Sequence, residues 1–190
     1  MYLSKDEMHR QRLPVCNRRR FLRAGGGAVA LLLSPALVQA TSHPQRILNF
    51  HNTHTGESAT AVYWADGEYL ADGREEINVI LRDHRTDEIH PIVPGLLDLL
   101  YVLQGQVKNR QVYEVISGYR SPATNAALRR RGSGVAKHSY HMQGKAIDIR
   151  LRGCDLKMLH KAALDLQAGG VGYYPDSEFI HVDVGPCRCW

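Results

Sequence analysis

The sequence predicts an α+β fold: one domain with a small, mainly antiparallel sheet and flanking helices. Three observations carry this expectation. A chain of 190 residues has room for one globular core and not two. At 44% hydrophobic and 23% charged residues it has the make-up of an ordinary folded protein, neither disordered nor a disulfide-stapled scaffold. From Arg46 onward, short strand-like runs alternate with amphipathic helical stretches but without a strict β-α-β repeat, which argues against a doubly wound parallel sheet.

Taken in order, Arg46 to His51 and Ala59 to Trp64 are rich in β-branched and aromatic residues and are separated by the turn signal Thr55-Gly56-Glu57, so a hairpin is predicted. Arg74 to Arg82 places Ile77, Ile80 and Leu81 on one helical face. Pro94 opens a second helix, with Leu96, Leu97, Leu99, Leu100 and Leu103 at core spacing. Val112 to Ile116 reads as a strand. Ser121 and Pro122 then supply an N-cap and a first helical position for a helix through Arg131. A polar loop, Gly132 to Ser139, leads into a strand from Ala146 to Leu151, followed by a helix from Asp155 to about Leu166. Val171 to Tyr174, a turn at Pro175-Asp176-Ser177 and a strand from Phe179 to Val184 close the domain.

The formal charge of +5 suggests an anion binder until its distribution is considered. Residues 1–40 hold seven Lys/Arg against two Asp/Glu, and the remainder of the chain holds 17 of each. Arg129-Arg130-Arg131 is the one strong basic run beyond residue 40, and no aromatic platform accompanies it. Nucleic acid is therefore not an expected partner, and a monomer is expected. The basic stretch ending in Arg18-Arg19-Arg20 runs into the apolar segment Ala24 to Leu37, which is too short to span a bilayer, and then into Val38-Gln39-Ala40, a small-residue cleavage pattern. Asn17 to Arg23 resembles a twin-arginine export signal. The expected organisation is a signal peptide over 1–40 and a single domain over 41–190. The domain would work in the periplasm and meet the membrane only through its signal segment during export.

Cys154, Cys187 and Cys189 follow the expected leader, and an odd count in an oxidising compartment allows at most one disulfide. Cys187 and Cys189 are too close for an easy mutual bridge, so pairing of either with Cys154 is expected. A Cys-X-Cys metal site lacks a second cysteine pair to complete it.

Two segments gather the plausible metal ligands, Ser139 to Asp148 and Glu178 to Asp183. Catalytic zinc takes three protein ligands from neutral imidazole and carboxylate, leaving one position for water. His141, Asp148 and His181 supply that number and type if their strands are neighbours, with His138 a competitor on spacing alone. Strand alternation puts His181 and Asp183 on one face, so Asp183 is a candidate general base. Glu178, in the turn before, is the other.

Ser139 to Asp148 matches the pattern S-x-H-x-x-G-x-A-x-D of the D-Ala-D-Ala carboxypeptidase and dipeptidase type of zinc peptidases, and the chain resembles peptidase family M15. Four further strings resemble its DUF882 branch over residues 45 to 190. They are His54-Thr55-Gly56-Glu57, Ile116 to Ser121, Gly134 to Lys137, and Ala168 to Pro175. The resemblance implies one zinc ion per chain held by His141, Asp148 and His181. It implies substrate contacts from Ser139 and Tyr140, and an Arg120 placed to stabilise an oxyanion. The implied activity is hydrolysis of amide bonds in cross-linked peptidoglycan stem peptides, with stem-trimming D,D- or L,D-carboxypeptidase action or a non-catalytic wall-binding module as alternatives. Other branches place the catalytic carboxylate at the position of Glu178, whereas the DUF882 pattern emphasises His181-Val182-Asp183.

Overall fold

A computed structural model describes residues 44–108, 111–132 and 134–190. The expected export signal at 1–40 lies outside the described residues. Eight strands form one sheet: β1 (Gln45–Asn52), β2 (Ser58–Ala65), β3 (Glu68–Tyr69), β4 (Tyr113–Ser117), β5 (Ala146–Leu151), β6 (Gly170–Tyr174), β7 (Phe179–Asp183) and β8 (Arg188–Cys189). Four helices accompany it: α1 (Ala71–Ile80), α2 (Pro94–Gln106), α3 (Pro122–Arg130) and α4 (Leu156–Leu166).

The strand order is β3-β2-β1-β4-β5-β7-β6-β8. The α+β class is as expected, but the sheet is mixed and wider than the small one the sequence pattern suggests. β1 pairs with β4 and β6 with β8 in parallel, and the other pairings are antiparallel. The added width comes partly from β3 and β8, two-residue strands with no hydrophobic periodicity to announce them.

The hairpin forms because Leu48, Phe50 and Asn52 alternate with more exposed residues on β1, as Ala61, Tyr63 and Ala65 do on β2. The Asn52 side chain fixes the turn by accepting from the N–H groups of His54 and Thr55 at 3.0 and 3.2 Å. α1 begins three residues before the predicted stretch and ends at Ile80. Gly73 allows the early start, since any Cβ there would run into the Val62 carbonyl of β2. Beyond Ile80 the helix stops, and the Leu81 carbonyl accepts from the N–H of Tyr119 at 2.7 Å.

All five predicted leucines of α2 are buried, each worth roughly 1.5–3 kcal/mol of transfer free energy. Ser121 caps α3 by accepting from Thr124 N–H at 3.2 Å, and Asp155 caps α4 by accepting from Met158 N–H at 3.0 Å. The core gathers Leu48, Phe50, Tyr63, Val115, Ile147, Ile149, Ile180 and Val182 of the sheet against α1, α2 and α4. By strand alternation, Asp148, His181 and Asp183 belong to the other face of the sheet. The central strands thus carry a packing face and a polar face in register.

The three cysteines are unpaired, contrary to the expected bridge to Cys154. Cys154 follows β5, with its thiol directed at the Asp155 carbonyl, whereas the Cys187 thiol donates to Gln167 O at the far edge of the sheet. Two strands, β7 and β6, separate β5 from β8, which bears Cys189, a placement that sequence spacing does not reveal.

Candidate metal centre

Asp148 and His181 face each other directly in the antiparallel β5/β7 ladder, and Ser117 of β4 lies on the other side of Asp148. Directly opposed residues hold their Cβ atoms about 5 Å apart, so the sheet register alone brings this carboxylate and imidazole together. His141 arrives from a different element. It lies on a single 3-10 turn, Tyr140–Gln143, that starts at Ser139, whose hydroxyl accepts from His141 N–H at 3.3 Å. Gly144 ends the turn with φ +62°, and a Cβ there would run into the Pro91 carbonyl. Only glycine satisfies both constraints without strain, so this residue lets the turn fold back over the start of β5. The Arg120 N–H donates to His141 O at 3.3 Å and ties the turn to the segment after β4.

Three atoms converge: His141 Nε2, His181 Nδ1 and Asp148 Oδ1. The two imidazole nitrogens are 3.2 Å apart, and they lie 3.2 and 2.8 Å from the carboxylate oxygen. Their partners decide where the protons are. His141 Nδ1 is 2.8 Å from the Gly118 carbonyl, which only accepts, so Nδ1 carries the hydrogen and Nε2 a lone pair. His181 Nε2 is 3.0 Å from Asp183 Oδ2, so this nitrogen is the donor and Nδ1 carries the lone pair. Three lone pairs at such distances repel unless a positive charge sits among them. The donor set fits a divalent cation with nitrogen and oxygen preference, and both imidazoles are oriented from behind as metal-bound histidines are. Among the described residues these three form a group of His, Cys, Asp or Glu side chains able to share a metal ion.

The electrostatics agree. Burial lowers the His141 pKa and keeps that ring neutral. Burial also acts to lower that of His181, but the Asp148 and Asp183 carboxylates outweigh it and raise the value. The site therefore favours positive charge at the His181 ring, supplied by a proton or a metal ion. Burial would raise the Asp148 pKa, yet the His141 and His181 imidazoles hold it below the carboxylate range.

The two candidate bases lie in different surroundings. Asp183 is fully enclosed, and each of its oxygens is engaged. Oδ1 accepts from Gly170 N–H at 3.1 Å, Gly185 N–H at 2.8 Å and Arg188 Nη1 at 3.2 Å, while Oδ2 accepts from His181 and from Arg188 Nη2 at 2.6 Å. Burial acts to raise its pKa, but the hydrogen bonds from His181, Arg188, Gly185 and Gly170 hold it well below the carboxylate range. Asp183 lies behind His181, away from the cleft. Glu178 is exposed, with its carboxylate 3.4 Å from Arg150 Nη1. It takes a left-handed conformation, φ +55°, where the Pro175–Ser177 turn meets β7. Neither residue lines the cleft that opens over the metal-ligand set.

That cleft has a volume of about 580 Å³, and the predicted contacts Arg120, Ser139 and Tyr140 all line it. Arg120 is buried, with Nη2 donating to Ser117 Oγ at 3.1 Å and Asp148 Oδ2 at 3.2 Å, while its Nε has no partner among the described residues. His138 is exposed on the rim, outside the ligand set. Sequence reasoning missed the wall formed by Tyr174, Arg188 and Trp190. The available signal was Gly170-Val171-Gly172, since glycines two apart in a strand mark a close approach on one face.

Residues 40–190 match a family described as peptidoglycan L,D-endopeptidase MepK. A protein of that name from Escherichia coli strain K12 is 46% identical over 176 residues, covering 92% of this chain and 97% of the relative. The Shigella flexneri protein gives the same figures. A probable peptidoglycan L,D-endopeptidase MepK from Haemophilus influenzae is 40% identical over 178 residues, covering 92% of this chain and 95% of the relative. No solved structure matches significantly.

Proposed function

The chain belongs to the peptidase M15 family branch described as peptidoglycan L,D-endopeptidase MepK, and we propose that it is an exported zinc endopeptidase cutting amide bonds between cross-linked peptidoglycan stems. The convergence of three lone pairs from His141, Asp148 and His181 at the floor of an open cleft is the observation that carries this reading. Diaminopimelate-to-diaminopimelate bridges are the proposed target, because an L,D bond occurs there. The enzyme would work in the periplasm as a monomer, after residues 1–40 have directed export by the twin-arginine route.

Zinc held by His141, Asp148 and His181 would supply Lewis acidity and the means to activate water at neutral pH. The protein's part is positioning and electrostatics. His141 and His181 present neutral lone pairs because Gly118 O and Asp183 fix their tautomers. Arg120 faces the cleft with donor capacity beyond its bonds to Ser117 and Asp148, and would stabilise the negative charge that develops on the scissile carbonyl oxygen. Ser139 and Tyr140 border the same space and offer hydroxyls to the stem peptide. Asp183 serves by holding His181.

Digestion of purified sacculi, with and without a chelator, followed by separation of the muropeptides tests the proposal. Loss of cross-linked dimers, blocked by chelation and restored by zinc, is expected. Dimers that persist while monomeric stems shorten would make the enzyme a carboxypeptidase. Binding without any cleavage by the zinc-loaded protein would make it a wall-binding module.

A further inference from the structure

The segment after β7 crosses back over the polar face of the sheet and ends beside His181. β8 pairs in parallel with β6 at the sheet edge, with Gly170 opposite Arg188 and Val171 opposite Cys189. The Arg188 guanidinium meets Asp183 with two nitrogens, and its central carbon lies 5.3 Å from the Tyr140 ring and 5.1 Å from the Trp190 ring. The Trp190 ring centroid lies 5.2 Å from that of His181, and its indole N–H donates to Tyr174 Oη at 2.7 Å.

The bed beneath these two side chains is made of glycine. A Cβ on Gly170 would come within 2.6 Å of Arg188 Nη1. One on Gly172, whose position pairs with His181 in the β6/β7 ladder, would come within 2.7 Å of the Trp190 indole. The two glycines of β6 leave the room that the Asp183 carboxylate, Arg188 and Trp190 occupy.

We propose that Pro186–Trp190 is a strap that positions the His181 imidazole for metal, with Arg188 fixing Asp183 behind the ring and Trp190 covering its outer face. Arg188 and Trp190 are positioning residues: they act on the metal through His181. The fixed fork of Arg188 holds both Asp183 oxygens, so the carboxylate cannot rotate and the donor position of His181 Nε2 is set. That in turn aims Nδ1 at the metal, as an outer hydrogen bond does for a ligating histidine. The inference rests on the reading of His141, Asp148 and His181 as a metal site, but not on the substrate.

The test titrates the metal-free mature protein with zinc alone against a competing chelator, comparing wild type with Arg188→Gln, Arg188→Lys and Gly172→Ala. Arg188→Gln should weaken zinc binding about tenfold, the low end of the range for losing a ligating histidine's own partner, because Arg188 acts through Asp183. Arg188→Lys should recover part of the loss, because one ammonium can serve only one Asp183 oxygen well. Gly172→Ala leaves every strap residue in place but unseats the indole, and should weaken zinc binding in the same direction. Far-ultraviolet circular dichroism of each metal-free variant confirms a folded sheet. Zinc affinity within twofold of wild type in both folded Arg188→Gln and folded Gly172→Ala would overturn the proposal. Strong, Arg188-dependent zinc binding by a protein that leaves murein uncut would uphold the strap and defeat the endopeptidase reading, so the two failures are distinct.

Discussion

Replacing Asp183 by Asn keeps the side chain's size but exchanges an acceptor oxygen for a donor NH2 group and so reverses the logic of the metal site. In the native protein, both Asp183 oxygens accept, from two backbone N–H groups, from Arg188 and from His181. Asn keeps one acceptor, which Gly170 and Gly185 can still use through Oδ1. Its amide nitrogen then faces Arg188 Nη2 and His181 Nε2, donor against donor. The imidazole can relieve this only by moving its proton to Nδ1, which removes the lone pair that faces Asp148 and His141. Loss of such an outer-shell partner typically weakens metal binding 10- to 100-fold, or about 1.4–2.7 kcal/mol. Trading charge-assisted for neutral hydrogen bonds around the side chain costs about 2 kcal/mol of stability in addition. Chelator competition for zinc, with thermal melting of the metal-free protein, reads the two effects separately. An Asp183→Asn protein that binds zinc as tightly as wild type would refute the tautomer argument.

Four further outcomes follow from the same geometry. Glu178→Gln should leave the rate of dimer cleavage within about twofold of wild type, since the carboxylate lies outside the cleft beside Arg150; a hundredfold loss would reinstate it as the base. Arg120→Ala should lower kcat by about 10²-fold, the usual cost of removing an oxyanion donor, and steady-state kinetics on a defined muropeptide dimer would show it. Gly144→Ala should destabilise the protein by about 2 kcal/mol or more in urea melts, because a positive φ and the Pro91 carbonyl both oppose a Cβ. Burial acts to raise the Asp83 pKa, but hydrogen bonds from Thr124 and Ser121 and from the N–H groups of Arg85 and Ser121 hold it down to about 2. A depressed carboxylate stabilises the fold above its unfolded pKa, near 4, and loses that contribution as pH falls toward 2. Acid titration of unfolding should therefore lose roughly 2 kcal/mol less over that window in Asp83→Asn than in wild type.

The parts of the site that were readable in the sequence are those set by local chemistry. Ser121 before Pro122 is a cap whatever the tertiary structure, and the alternation along β1, β2, β5 and β7 says which residues share a face. His141, Asp148 and His181 could be grouped because each has the right chemistry and two of them sit on strand-like runs. The role of Asp183 was not readable. Sharing a face with His181 is equally compatible with a base that opens on the cleft and with a carboxylate closed off behind the ring. Arg188 and the amides of Gly170 and Gly185 decide between these, and they come together only through the β6/β8 pairing. The direction of the Glu178 side chain was hidden for a related reason, since a left-handed residue at the end of a turn redirects its side chain in a way that spacing does not encode. The wide mixed sheet was hidden because the parallel β1/β4 pairing spans two helices, and no periodicity reports which strands meet after such a crossover.

Zinc-edge X-ray absorption on the mature protein loaded with one equivalent of zinc would show whether His141, Asp148 and His181 hold the metal. Two imidazole nitrogens and light oxygen donors at about 2.0–2.2 Å, with no sulfur, are expected around the metal, with loss of the imidazole signal in His141→Ala. Sulfur at about 2.3 Å would contradict it, because the metal would then sit on Cys187 and Cys189 and not on the floor of the cleft.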